Sequence, residues 1–243
     1  MATASNTLHE DDLPDEVVDR HRVLVVPGLY IADDATLQWL ARYAAAGGHL
    51  VLGPRTGYAD EEARARTDVP PAHLAEPAGI WYDEYSNISA EVLIRAASAS
   101  SLELEPDAAG TRWVDGLQLS GADVLAGYDH PHFGRWPAIT TREHGQGRIT
   151  YVGTVPNTQL ATALFRWLTP RDIRAQWPRP ASVTITGATA RDGRRIHFVH
   201  NWSWEPVTIR TPTPVQDLLA TSEHDLDQDV SLNAWDVRIL AER

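Results

Sequence analysis

The segment His21-Arg-Val-Leu-Val-Val-Pro27 is a short β-branched run closed by proline and glycine, a pattern typical of a buried parallel strand. The pair Asp33-Asp34 can then cap a helix, because the apolar residues from Leu37 to Ala44 repeat at helical spacing. Gly47-Gly48 ends that helix, and His49-Leu-Val-Leu-Gly53 is a second apolar strand. This stretch predicts a strand–helix–strand unit with a right-handed crossover, and therefore an α/β fold.

The residues on either side of this unit differ from it in composition. Residues 1–20 are polar and acidic, and they predict a disordered or loosely ordered lead-in. From Ile80 to Gly153 short strands alternate with turns, and Asn157 or Thr158 can cap a last helix that ends at Leu168. We therefore expect one α/β domain over residues 21–177.

A change of pattern follows the run Trp177-Pro-Arg-Pro180. Beyond it, short strands are separated by turns, and Asp192-Gly193 carries the strongest short-range hairpin signal. These features predict a small all-β sandwich domain over residues 178–243.

The composition disfavours several classes of function. The chain has 243 residues and no cysteine, and all 21 of its basic residues are arginine. Thiolate nucleophiles, cysteine-bound metals, lysine-containing phosphate loops and Schiff-base chemistry are therefore excluded. The net charge of −12 disfavours nucleic acid and anionic lipid as partners, because both require a basic surface.

The amino-terminal residues lack the basic start and apolar middle of a signal peptide. The longest apolar runs, such as Val23–Val26, are too short to cross a bilayer. We therefore expect a cytoplasmic protein with no membrane partner.

Motifs that could support catalysis are incomplete. Gly145-Gln-Gly147 lies between two predicted strands and opens no helix, so it indicates a hairpin turn and not a nucleotide site. No serine stands in a Gly-x-Ser-x-Gly motif. His130-Pro-His132 and the pair His197 and His200 lack the further ligands of a metal site. We assign no catalytic residue, no metal site and no cofactor.

Tryptophan is common in the chain, with nine copies, and some of them lie where a ligand could reach them. Trp202 and Trp204 follow a predicted strand, and Trp81 lies in another. Indole rings can stack on sugars, but they serve equally well in a core or a subunit contact. The sequence predicts carbohydrate binding at Trp202, Trp204 and Trp81 as one of these alternatives.

The order of several motifs resembles a known family. The motifs are Val23-Leu-Val-Val-Pro-Gly-Leu-Tyr30, His49-Leu-Val-Leu-Gly-Pro-Arg-Thr-Gly57, Gly121-Ala-Asp-Val-Leu-Ala-Gly-Tyr128, Phe133-Gly-Arg-Trp-Pro-Ala-Ile-Thr140, Gly145-Gln-Gly-Arg-Ile-Thr-Tyr-Val-Gly-Thr154 and His197-Phe-Val-His-Asn201. Together they are similar to the C-terminal part of the glycoside hydrolase family 42 β-galactosidases, which comprises a trimerisation domain and a small β domain.

The resemblance implies a flavodoxin-like or class I glutamine amidotransferase-like α/β domain that assembles trimers, followed by a β-sandwich. It also implies that the catalytic glutamates lie on a (β/α)₈ barrel, which itself needs about 250 residues. No catalytic residue of the family can therefore be assigned to a position of this chain.

Three hypotheses follow. The first is a non-catalytic oligomerisation module, whose partner is further copies of the chain in a trimer or a separate barrel subunit. The second is a glycoside hydrolase that acts on β-galactosides, with a barrel supplied in trans. The third is a carbohydrate-binding module.

Overall fold

The structure, a computed structural model, describes residues 14–169 and 177–243. It contains two compact units, one within residues 8–170 and the other within residues 171–243. The predicted domain boundary at 177/178 stays a prediction.

The lead-in predicted over residues 1–20 is in part helical. Residues 1–13 lie outside the described residues, but Pro14–Arg20 form a helix, α1. Val17 of α1 is fully buried in the core of the larger unit. An apolar side chain thus ties residues 14–20 to the core, and the disordered or loosely ordered lead-in over residues 1–20 stays a prediction.

The larger unit is built mainly of strands. Its further elements are β1 (Val23–Val26), α2 (Asp34–Ala45), β2 (His49–Leu52), α3 (Ala75–Ala78), β3 (Ile80–Trp81), β4 (Tyr85–Asn87), β5 (Val92–Ala96), β6 (Ala109–Asp115), β7 (Gln118–Leu119), β8 (Asp123–Tyr128), β9 (Pro137–His144), β10 (Gly147–Val152), β11 (Thr154–Pro156) and α4 (Thr158–Leu168).

The predicted strand–helix–strand unit is confirmed. Strands β1 and β2 are parallel, with Val23 paired with His49, and α2 connects them. Asp33 caps α2, because its carboxylate accepts a hydrogen bond of 2.7 Å from the Thr36 N–H. Two glycines follow the helix, as expected, and the second strand starts at once.

The flavodoxin-like and amidotransferase-like fold is wrong for this chain. The main sheet has nine strands in the order β1-β2-β10-β9-β8-β5-β6-β11, with β4 also paired to β6. Only β1, β2 and β10 are parallel, and the other neighbouring strands are antiparallel. The sheet is mostly antiparallel because its strands are joined by hairpins and loops, and not by the crossover helices that a wholly parallel sheet requires.

Both faces of the sheet are covered at β2 and β10, whereas the edge strand β1 is only partly buried. One face packs Leu50, Leu52 and Tyr151 against α1 and α2. The other face contributes Val51 and Val152 to a second core, which α4 completes. Alternate residues of one strand therefore enter different cores.

The smaller unit contains only strands among its described residues: β12 (Val183–Thr189), β13 (Arg195–Asn201), β14 (Val207–Arg210), β15 (Val215–Asp217), β16 (Glu223–His224), β17 (Asp229–Leu232) and β18 (Val237–Glu242). A five-stranded sheet runs β12-β13-β18-β15-β16, and β14 pairs with β17. Side chains from both sheets share one core around Val199 and Ile209.

Two predicted hairpins are confirmed. Strands β9 and β10 are joined by Gly145-Gln146, and β12 and β13 by a turn that contains Asp192-Gly193. Gly145 and Gly193 have positive φ, of 60° and 86°, which explains glycine at both positions.

Candidate functional site

Two loops at the carboxyl ends of β1 and β2 hold the candidate site. Residues 27–32 and 53–59 continue side by side beyond the strands, with Gly57 N–H donating to the Leu29 carbonyl and Ala59 N–H to the Tyr30 carbonyl. At the start of the second loop, a Cβ on Gly53 would overlap the Pro27 carbonyl, so only glycine fits there. This close approach fixes the position of Arg55 two residues later.

Arg55 is the centre of an aromatic cluster, which we call the Arg55 cluster: Arg55, Tyr30, Tyr58, Tyr85 and Trp113. The guanidinium carbon lies 4.4 Å from the ring centre of Tyr30, 5.0 Å from that of Trp113 and 5.7 Å from that of Tyr58. The rings themselves stack in pairs, Tyr30 on Tyr58 at 5.4 Å and Tyr85 on Trp113 at 4.5 Å. Each cation–π contact at an exposed site contributes about 0.5–1 kcal/mol.

Arg55 adopts an unusual backbone conformation, with φ of 62°. A left-handed conformation costs a residue with a Cβ roughly 1–2 kcal/mol. Its side chain is exposed, and it forms no ion pair within the described residues. The fold therefore holds an exposed guanidinium in place on a strained backbone, with its N–H groups available as donors.

Beneath the cluster lies a buried carboxyl group, Asp115. The Trp113 indole N–H donates to Asp115 Oδ1 over 2.6 Å, and the Tyr151 hydroxyl lies 3.0 Å from Oδ2. The backbone N–H of Arg55 also forms a hydrogen bond to this carboxyl group. Burial raises the pKa of Asp115 to about 7, although these hydrogen bonds oppose the rise. The buried group thus connects the sheet to the loop that carries Arg55.

A second buried hydroxyl completes this network. Tyr82 and Tyr151 lie with their hydroxyl oxygens 3.0 Å apart. Burial raises the pKa of both hydroxyls above the ordinary value, so they stay protonated. The network is closed from solvent, and its chemistry is that of a structural support.

The tryptophans singled out in the sequence lie in different units. Trp81 is on β3 of the larger unit and is 36% exposed. Trp202 and Trp204 are in the turn after β13, 54% and 79% exposed, and the structure brings them together with Trp235. Sugar binding at each of these residues stays a prediction.

The predicted histidine groups have local structural roles. The ring nitrogen Nδ1 of His130 accepts hydrogen bonds from the backbone N–H groups of His132 and Phe133. His197 Nε2 lies 2.8 Å from a carboxylate oxygen of Glu242. Within residues 14–169 and 177–243, no group of three or more histidine and acidic side chains could hold a metal ion.

Sequence reasoning did not identify Arg55, Tyr30 or Asp115. A usable signal existed, because Tyr30 and Arg55 each follow a short apolar strand of a parallel pair, where ligands meet such sheets. The strand before Tyr30 is only partly buried and not fully buried as predicted, because it is the edge strand of the sheet. The contributions of Tyr85, Trp113 and Asp115 depend on antiparallel pairing of β4 with β6, which no local pattern shows.

An exposed arginine among stacked tyrosine and tryptophan rings, without a nucleophile beside it, is typical of a protein-contact surface. The fold and the site therefore define the class of protein as an association module. The chain belongs to the family of the β-galactosidase trimerisation domain, whose family model matches residues 13–172. The predicted resemblance to the C-terminal part of family 42 β-galactosidases is confirmed.

Relatives support the same family. The β-galactosidase Bga of Halorubrum lacusprofundi is 29% identical over 223 residues, which are 88% of this chain and 31% of that protein. The β-galactosidase LacZ of Heyndrickxia coagulans is 26% identical over 71% of this chain and 25% of that protein. The chain thus spans about a quarter to a third of these relatives.

A solved structure shows the same fold. The β-galactosidase from Bacillus circulans sp. alkalophilus superposes with a TM-score of 0.85 at 21% identity, over 95% of this chain and 34% of that one. The prediction of an oligomerisation module of this family, and not a whole glycosidase, is confirmed. Among the helices that the structure describes, none is long and apolar enough to cross a membrane.

Proposed function

We propose that this chain associates with copies of itself as a trimer, through the surface of its larger unit that carries the Arg55 cluster. The cluster is the observation that supports this surface most directly. It lies inside the segment that matches the trimerisation-domain family, and it combines the residue types that contribute most to protein–protein affinity.

Electrostatics favour an arginine in this role. Each copy carries a net charge of −12, so copies repel one another. An exposed guanidinium that has no ion pair among the described residues offers a carboxylate of the next copy a two-pronged contact. The aromatic rings hold that guanidinium in one orientation before association, so less side-chain entropy is lost when the contact forms.

Apolar surface continues beside the cluster. Ile31 follows Tyr30 directly and is 47% exposed, and it extends the surface of Tyr85, a member of the cluster that is itself 49% exposed. Exposed apolar side chains that are contiguous with an aromatic cluster are typical of interaction sites. A contact between copies at this surface would cover Ile31 and Tyr85.

The test compares the solution mass of the unaltered chain with that of the Arg55→Ala variant. Multi-angle light scattering at high micromolar concentration is expected to give the mass of three chains. The Arg55→Ala variant should dissociate, with association weakened at least about tenfold, as for other hot-spot arginines. Arg112→Ala is the matched control, because Arg112 is also exposed and also has φ of 62°, yet it lies outside the cluster.

Two results would contradict the proposal. One is a single-chain mass for the unaltered protein throughout this range. The other is an equal loss of association in Arg55→Ala and Arg112→Ala, which would mean that overall charge, and not the cluster, controls the oligomer.

A second proposal concerns the role of the assembly. The relatives are β-galactosidases of which this chain matches about a third or less, so we propose that it supports β-galactoside hydrolysis as the assembly part, with the catalytic barrel supplied separately. Nitrophenol release from a nitrophenyl β-galactoside should be absent for the chain alone and should appear or rise when a barrel subunit is added. A cytoplasmic location stays a prediction that cell fractionation can test.

A further inference from the structure

The smaller unit carries three exposed indole rings in two neighbouring turns. Trp202 and Trp204 lie in the turn between β13 and β14, and Trp235 lies in the turn between β17 and β18. The exposed fractions of the three residues are 54%, 79% and 51%. Single exposed apolar residues are ordinary, whereas three large rings in contact form an apolar patch of the kind that marks a binding site.

The rings form a corner and not a flat surface. The Trp204 and Trp235 ring planes meet at 72°, with their centres 5.5 Å apart, and the Trp202 and Trp235 planes meet at 86° and 6.0 Å. A ligand in such a corner can lie flat on one ring while its edge meets another. This geometry suits a small, disc-shaped ligand better than an extended protein face.

Two of the three indole N–H groups of this corner have no partner among the described residues. Neither the indole N–H of Trp204 nor that of Trp235 finds an acceptor within the part of the chain that the structure describes, while the N–H of Trp202 donates to Thr184 Oγ1 over 2.8 Å. His200 stacks on Trp202 with its ring centre 5.3 Å away. Covering free N–H groups with an apolar partner costs free energy, so a ligand that carries hydroxyl groups is favoured.

The corner is fixed before any ligand arrives. The buried amide of Asn201 donates to the carbonyls of Glu205 and Asn233, over 2.8 Å each, and it accepts from the backbone and hydroxyl of Ser203. It thereby ties both turns together. Trp235 has φ of 53°, a backbone conformation that is rare for a bulky residue. Such a strained conformation persists only where surrounding contacts impose it.

We propose that Trp202, Trp204 and Trp235 form a binding site for a pyranose ring of a neutral carbohydrate. The apolar C–H face of the sugar stacks on one indole ring, and its hydroxyl groups accept from the free N–H of the neighbouring ring. No arginine lies over these three rings among the described residues. Arg238, three positions after Trp235, is already paired with Asp217 and Asp236, so a neutral sugar is favoured over an anionic one. Trp81 is not part of this cluster.

The test is a titration followed through the nine indole N–H signals in a ¹H–¹⁵N correlation spectrum of the full chain. Lactose, a neutral disaccharide of pyranose rings, is the probe. The signals of Trp204 and Trp235 should shift and saturate with a Kd in the millimolar range, as is usual for a shallow site. Trp204→Ala should weaken binding at least about tenfold, because one stacking surface is lost. The residue is 79% exposed, so this variant should still fold.

Trp81→Ala is the matched control and should bind lactose with unchanged affinity. The proposal is overturned if lactose causes no saturable shift, or if Trp81→Ala loses binding and Trp204→Ala keeps it. It is also overturned if the Trp204 and Trp235 signals change with protein concentration in the absence of sugar, since the rings would then be a contact between copies. Failure here leaves the light-scattering result with Arg55→Ala unaffected, because the two tests use different units of the chain.

Discussion

The molecule presents two exposed aromatic clusters that differ in what lies among their rings. In the larger unit a guanidinium lies between tyrosine and tryptophan rings, above a buried carboxyl group. In the smaller unit the rings surround no cation, and two indole N–H groups are free among the described residues. Aromatic rings line both surfaces, and the difference in neighbouring polar groups is why we propose a charged partner for one and a neutral ligand for the other.

The two clusters are also supported differently. Arg55 depends on close backbone contact between two loops, since Gly53 leaves no room for a Cβ beside Pro27. The tryptophan corner depends on one side chain, Asn201, which joins two turns by hydrogen bonds. Substitutions of Gly53 and Asn201 therefore distinguish the two clusters better than substitutions of the aromatic rings do.

The largest effect is expected for Gly53→Ala. The added methyl group would overlap the Pro27 carbonyl, and the backbone on both sides must move, which costs more than about 4 kcal/mol of the free energy of unfolding. Gly127→Ala, in β8, is the control, because no atom lies within 4 Å of the added carbon, and a loss below about 1 kcal/mol is expected. Urea denaturation measures both. Similar losses in the two variants would show that contact between Gly53 and Pro27 does not constrain the loop.

The next effect concerns the carboxyl group beneath Arg55. The pKa of Asp115 is about 7 in the folded chain and 3.8 for the ordinary group, so between these values the folded chain binds more protons than the unfolded one. Stability should therefore fall as the pH rises from about 4 to about 7, by up to about 4 kcal/mol, and should then level off. Asp115→Asn can keep the Trp113 and Tyr151 hydrogen bonds without a charge, so its stability should be flatter over this interval. If the free energy of unfolding changed with pH in the same way in both proteins, the buried carboxyl group would not be the cause of the change.

A smaller loss is expected for Asn201→Ala, which removes the amide that joins the turns of the tryptophan corner. Four hydrogen bonds of the Asn201 amide are lost, to the carbonyls of Glu205 and Asn233 and from the backbone and hydroxyl of Ser203, and a loss of about 2 kcal/mol is expected. Asn233→Ala, with an exposed side chain, should cost less than about 0.5 kcal/mol. Denaturation measures the cost, and the indole spectrum should show broadened Trp202 and Trp235 signals only in Asn201→Ala. Unchanged indole signals in that variant would mean that the rings hold one another without the amide.

The local elements of this fold were accessible from the sequence because their causes are local. The β-branched run at Val23, the Asp33 cap and the paired glycines each act within a few residues, and the strand–helix–strand prediction was correct. Asn157 or Thr158 was predicted to cap α4 for the same reason, and Asn157 is the cap, because its side chain accepts from the Leu160 N–H.

The sheet as a whole was not accessible in this way. Its parallel start suggested a doubly wound fold, but whether the next strands continue parallel depends on long connections whose path no local pattern fixes. The tryptophan corner shows the same limit, since Trp204 was noticed and Trp235 was not. The two residues are 31 positions apart, and their turns meet at one end of the unit because β13 pairs with β18 and β14 with β17.

Strand β10 lies between the two halves of the large sheet, parallel to β2 on one side and antiparallel to β9 on the other. Its partner across the parallel side is almost a hundred positions earlier, with His49 beside Arg148. During synthesis, β1, α2 and β2 leave the ribosome long before β10 does. Until β10 is made, the backbone groups on one edge of β2 have no strand to pair with. Such distant pairing slows folding, so the early segment is the stage at which chaperones or wrong strand partners can act.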